Sequence, residues 1–361
     1  MSLRRWVMVL ALASLAVLWM APAAGAKTKV VVAGGPPPRP SLAGPVTFPK
    51  DLNLNGFFRR RVTINVGDSV RWVFSQRVVH TVTFLPPGQR RPSLEVPDAA
   101  HPYTGFNDAA GAPFWFNGQP SLLIPPEHAF PQGGNSTDGT TYANSGLSAP
   151  AFKPYELKFT KAGTFHYLCL VHPGMAGSVR VLSKGRAVPS ATADRLARMA
   201  EYAHAVKRAK HLARFTPAGN NVVAAHDRGA VAWFRFFPRV RTVRAGQSVR
   251  FSISSKSEIH TVMFGPEAYR DAAEKELIMA QPQPNGPPRL QFNPLIFLPS
   301  DPTLPPYTGL NHGNGFLNTG ALDTDPNTPL PPNATVTFAT RGTFVFECTI
   351  HPGMEATIKV T

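Results

Sequence analysis

The sequence predicts an all-β protein: two Greek-key β-sandwiches joined by a helical linker. Three observations predict it. The 38 prolines and 29 glycines among 361 residues favour turns and ordered loops over helices. Runs that alternate apolar and polar side chains recur between Gly- and Asp-containing turns, the period of a half-buried strand. The chain also repeats itself: FTKAGTFHYLCLVHPGMAGSVRVL at 159–182 matches FATRGTFVFECTIHPGMEATIKVT at 338–361 at ten of 24 positions. With 43% hydrophobic and 16% charged residues, the length suits two cores of roughly 100 to 200 residues each.

Taken in order, the chain opens with a leader. Arg4 and Arg5 precede an apolar run at 7–20, and Ala24-Gly25-Ala26 fits a small-residue cleavage site, so residues 1–26 read as a signal peptide. The run is short for a membrane span of about 20 residues, which disfavours an uncleaved anchor. A periplasmic or extracellular location follows. The first domain is expected over 27–188. KVVVA (29–33) is a strand, and FFRRRVTINVGDSVRWVF reads as a β-hairpin around Val66-Gly67-Asp68. YELKFTKAGTFHYLC is a further strand, turn and strand, and eight short strands in two sheets make a Greek-key sandwich.

Residues 189–217 differ in composition. Ser190 or Thr192 can cap a helix with an acid near its start, bases near its end and Pro217 beyond it. Leu196, Met199, Ala203 and Val206 give it a thin apolar stripe, with His204 and His211 on its surface. The second domain is expected over 218–361. Its NVVAAHDRGAVAWFRFFP segment forms two strands around Asp227-Arg228-Gly229, and VRTVRAGQSVRFSIS restates the first domain's hairpin.

Each copy carries C-x-x-H-x-x-M: Cys169, His172 and Met175, then Cys348, His351 and Met354. A further His lies upstream, because VGDSVRWVFSQRVVHTVTF matches AGQSVRFSISSKSEIHTVMF and sets His80 against His260. Thiolate, two imidazoles and a thioether are the donors of a blue copper site, whose soft ligands suit both oxidation states. Two cysteines in an exported chain also permit a disulfide between the halves. The fixed spacing of each Cys from a His and a Met favours metal thiolates.

On these motifs each half resembles a cupredoxin, the plastocyanin and azurin family of type 1 copper proteins, and the short ligand loop is most similar to that of amicyanin. The resemblance implies one copper on His80, Cys169, His172 and Met175, and a second on His260, Cys348, His351 and Met354. It implies electron transfer, with His172 and His351 nearest the surface. Many family members carry Asn after the first His; here Thr81 and Thr261 stand there, which bears on redox potential.

An enzyme is not expected. Multicopper oxidases need eight further His in H-x-H pairs, yet seven of the eleven His remain and none form such a pair. A nitrite reductase wants His immediately before the Cys, where Leu168 and Glu347 stand. His101, His128, His226 and His312 read as surface residues, and His166 as facing away from Cys169. A copper buffering or delivery protein is the alternative, disfavoured because the eight Met form no cluster. The net charge of +16 points to an acidic redox partner, or to an anionic cell-surface polymer or lipid. No nucleic-acid motif accompanies it.

Between the first His and the Cys lie 88 residues in one copy and 87 in the other, about twice what three short strands need. Both insertions carry P-Y-T-G-x-N, then N-S-G-L (144–147) or N-T-G-A-L (318–322). Phe114, Trp115, Phe116, Phe297 and Phe316 form either an apolar cover over the copper end or a satellite core.

Overall fold

A computed structural model describes residues 25–35, 49–75, 78–326 and 328–361; the expected leader lies outside them except for its last two residues. The described chain is mostly β-strand, with few helices. In the first half, one sheet orders Phe57–Phe58, Thr28–Ala33, Ser69–Phe74, Tyr155–Phe159 and Ser136–Thr137. Another orders Ala143–Asn144, Thr83–Phe84, Gly163–Leu168, Ala176–Leu182 and Arg61–Asn65. Alternation makes each strand one-sided: Val62 and Ile64, then Val70, Trp72 and Phe74, point into a single cluster with Leu157, Phe159, Tyr167, Val179 and Val181. Cys169 and Met175 lie in that cluster.

The second half repeats the pattern. Val231–Phe237, Asn221–Arg228, Ser248–Ile253 and Asn333–Thr337 are neighbours in one sheet; Val240–Val243, Glu355–Val360, Gly342–Glu347, Met263–Phe264 and Leu317–Asn318 form another. Its core holds Cys348 and Met354. Thr28–Ala33 pairs in parallel with Ser69–Phe74, as Asn221–Arg228 does with Ser248–Ile253.

The expected hairpin at Val66-Gly67-Asp68 does not form. Arg61–Asn65 and Ser69–Phe74 belong to different sheets, and the turn between them straddles both: Val66 N–H donates to Leu182 and Gly67 N–H to Phe159. The second copy does the same, with Ala245 donating to Thr361 and Gly246 to Phe338. Both strands are apolar toward one core, so placing them in facing layers buries both inner faces against each other. Around Asp227-Arg228-Gly229 the expected pairing is present, between Asn221–Arg228 and Val231–Phe237.

The helix Ala191–Leu212 is capped by Ser190, whose side chain accepts the Ala193 N–H. Its buried face is not the predicted stripe. Tyr202, Ala205, Ala209 and Leu212 turn inward, while Leu196 is 56% exposed. Small residues let the helix sit close against strands of both halves: Tyr202 stacks on Phe58 with ring centroids 3.8 Å apart, and Trp233 Nε1 donates to the Ala209 carbonyl at 2.8 Å.

Two further elements join the halves. Leu52–Asn53 adds an edge to the sheet of Val231–Phe237, which carries the following Asn55 toward the second half. The two insertions build one four-stranded sheet from Ile278–Gln281, Arg289–Phe292, Pro120–Ile124 and Val96–Pro102. Phe114, Phe116, Phe297 and Phe316 share a core with Tyr103, Ile124, Met263 and Phe292, while Trp115 stays 39% exposed. The aromatic residues therefore knit the insertions to each other as a satellite core, and Phe297 of that core also lines the cavity onto which His172 and His351 open.

Candidate metal centre

Each ligand loop closes by the same two bonds. Cys169 N–H donates to the Met175 carbonyl at 2.9 Å and Met175 N–H to that of His172 at 3.1 Å; the Cys348, His351 and Met354 bonds have the same lengths. The turn passes through Gly174 and Gly353, with φ of +82° and +78°, which glycine adopts without steric cost. Chain reversal within the loop brings the His back over the Cys.

The upstream His is held by the repeated element of the insertion. His80 and Ser148 exchange bonds, as do His260 and Leu322. Beside them Val82 N–H donates to the Ser145 hydroxyl and Val262 N–H to that of Thr319. Asn144 and Asn318 tie the same element to backbone carbonyls of their insertions. The N-S-G-L and N-T-G-A-L repeats are thus clamps on the strand bearing the first His.

The structure brings His80, Cys169 and His172 together, and likewise His260, Cys348 and His351; in each group the donor atoms lie within 4.8 Å of one another. His80 Nδ1 is 3.0 Å from His172 Nδ1, which is 3.4 Å from Cys169 Sγ. Cys348 Sγ lies 3.5 Å from His260 Nδ1 and 3.4 Å from His351 Nδ1. Met175 and Met354 are buried in the cores beside them. Among the described residues no other group of this kind occurs. Both cysteines are free and buried in separate cores, so the disulfide alternative is not formed. Convergent imidazole nitrogens on a buried thiol, with a thioether nearby, fit a soft metal ion.

Thr81 and Thr261, which follow the first His of each group, each do two things. Their N–H groups point at the sulfur, at 3.3 Å for Cys169 and 3.4 Å for Cys348. Their hydroxyls accept the N–H of the residue after the Cys, at 2.8 Å from Leu170 and 3.1 Å from Thr349. Burial opposes ionisation of both thiols, yet the imidazoles beside each hold it well below the ordinary thiol range. Each site is therefore electrostatically set for a thiolate.

One residue of the site carried no signal in its own copy. The Glu258 side chain is 5% exposed, with Oε1 2.8 Å from His172 Nε2 and Oε2 3.4 Å from His351 Nε2. Burial would lower His172, but Glu258 and then Cys169 push it up to about 10; Cys348 and Glu258 push His351 up to about 9. Against its own desolvation, Glu258 is held below the usual carboxylate range by His172 and His351. His80 is lowered, chiefly by burial.

His172 and His351, expected to lie nearest the surface, are 0% and 6% exposed, against 0% for both His80 and His260. His172 and His351 line a cavity of about 940 Å³ together with Pro173, Pro352, Phe234 and Glu258. The strand edge at Leu52–Asn53 and the insertion sheet, through Ile124, Ile278 and Phe292, supply more of its lining. Of the remaining His, His101, His166, His204 and His211 are exposed as expected. The surface placement expected for the others is corrected: His128 is buried, His226 is half-buried in a strand and stacked on Phe215, and His312 is half-buried between Asp108 and Asp301 at 3.3 and 3.0 Å.

No protein-family model and no curated protein matches the chain. Among solved structures it is similar to a mutant fern plastocyanin, at 19% identity over 39% of this chain and 99% of that one, with a TM-score of 0.22. It is also similar to Cu(I) forms of two amicyanin variants. One has 19% identity over 34% of this chain and 70% of that chain, with a TM-score of 0.19. The other has 18% identity over 35% and 73%, with a TM-score of 0.20. Overlap of this extent carries no argument about activity; the side chains around Cys169 and Cys348 do.

Proposed function

We propose that the chain is an exported copper-binding electron-transfer protein. In this reading residues 27–188 and 218–361 are two cupredoxin-like Greek-key units joined by a helical linker over 189–217. His80, Cys169, His172 and Met175 hold one type 1 copper; His260, Cys348, His351 and Met354 hold the second. The observation that carries it is a buried group in which two imidazoles converge on one thiol, formed twice.

The chemistry such an ion supplies is a one-electron couple between Cu(I) and Cu(II). The protein's part is to hold the donors still. The loop bonds fix Cys and Met, the insertion clamps fix the first His, and the Thr N–H groups stabilise the thiolates. Enzyme activity is not part of the proposal, because each set lacks the flanking His that oxidases and nitrite reductases use. The cationic surface suits an acidic redox partner, or an anionic polymer or lipid at the cell surface.

The test is stepwise copper loading followed by reversible reduction and exposure to a competing chelator. Two equivalents, each taking up one electron reversibly and exchanging slowly, support the carrier. Prompt release of both to the chelator without a reversible couple replaces it with buffering or delivery.

A further inference from the structure

The outer imidazoles of the two ligand sets share one carboxylate. His172 and His351 come from opposite halves, yet their Nε2 atoms lie 2.8 and 3.4 Å from the two oxygens of Glu258. Asn55, delivered from the first half by the strand edge at Leu52–Asn53, donates to the same carboxylate. Each imidazole has Nδ1 toward its cysteine and Nε2 within ion-pair distance of Glu258. A carboxylate at the far nitrogen of a ligating imidazole fixes ring and tautomer and raises the basicity of the ligating nitrogen.

The carboxylate belongs to one copy only. Two residues before the first His, the second half has Glu258 and the first has Val78. Independent sites would need a partner for each outer imidazole; here one residue serves both.

We propose that Glu258 is a positioning residue held in common by the two ligand sets, so that the affinity and potential of both depend on it. The inference rests on the reading that each set holds copper. A contact chain Cys169, His172, Glu258, His351, Cys348 then links the two sets through one carboxylate.

The test uses Glu258→Gln, which keeps size and removes charge, and Glu258→Val, which copies Val78. Each is made in the full chain and in Cys169→Ser and Cys348→Ser backgrounds that leave one set intact. Cu(I) affinity is read by chelator competition, and the potential by redox titration. Both sets are expected to lose affinity together, by about 10- to 100-fold. Both potentials are expected to rise, because a lost negative charge disfavours the more oxidised ion. A merely structural loss would not move two potentials in the same direction with the melting temperature unchanged. A change at one set only, or at neither, overturns the proposal while leaving the copper reading in place. A wild-type chain without two thiolate-to-copper bands overturns the copper reading, and the proposal with it.

Discussion

His80 Nδ1 and His172 Nδ1 lie 3.0 Å apart in the interior of the first half. Two bare nitrogen lone pairs at that distance repel, and either a shared proton or a metal ion relieves them. Metal binding should therefore raise stability by mass action, by about 2.7 kcal/mol at a free concentration one hundred times Kd. Calorimetry with and without copper checks the shift. In His80→Ala the first set should bind nothing and the second should bind as before, so the stoichiometry falls from two equivalents to one.

Gly34 packs directly over the same ring. A Cβ there would lie 2.4 Å from His80 Nε2, and the backbone φ of +80° already disfavours any other residue. Gly34→Ala should distort or abolish the first site's visible absorption while that of the second is unchanged, a comparison made in the Cys348→Ser and Cys169→Ser backgrounds.

Thr81 and Thr261 hold the loop that follows each Cys. Replacing Thr81 by Val leaves the buried Leu170 N–H without its acceptor, and Thr261→Val does the same to Thr349. Each should cost about 1–3 kcal/mol of stability in urea unfolding of the metal-free protein. No loss in either variant would mean that the hydroxyl bonds contribute nothing.

His128 gives the fold an acid sensitivity of its own. Burial is the main cause that lowers it, with Glu127 opposing and Arg91 reinforcing. With the folded value below 6.5, the unfolded chain takes up the proton first, so stability falls as pH drops below about 6.5 toward the folded value. His128→Gln should flatten the decline in melting temperature between neutral and mildly acid pH.

The two groupings of His, Cys and His were legible because short-range geometry brings much of each together: Cys and His sit in one turn whose glycine and backbone bonds are local, and repetition paired His80 with His260. The mostly β character was legible from alternation. Alternation does not say which layer a strand joins, so Val66-Gly67-Asp68 read as a hairpin although its turn spans two sheets. The helix stripe was misread because Ala205 and Ala209 bury by contact with Phe58 and Trp233, an effect of fit rather than hydrophobicity. Glu258 left no signal because His172 and Asn55 lie in the other half and His351 is far along the chain, and its local sequence shows only a polar residue near a turn. The insertions' repeated Asn-Ser/Thr-Gly element did carry one: Ser148 and Leu322, at its end, bond the first His in each copy.

The central claim is that the chain holds two type 1 copper sites on these eight residues. The most direct measurement is copper stoichiometry with the visible spectrum of the oxidised protein, repeated for Cys169→Ser and Cys348→Ser. The account predicts two coppers, an intense thiolate-to-copper band, and loss of one copper and one component of the band in each variant. A wild-type protein that binds no copper, or binds it without that band, would contradict it.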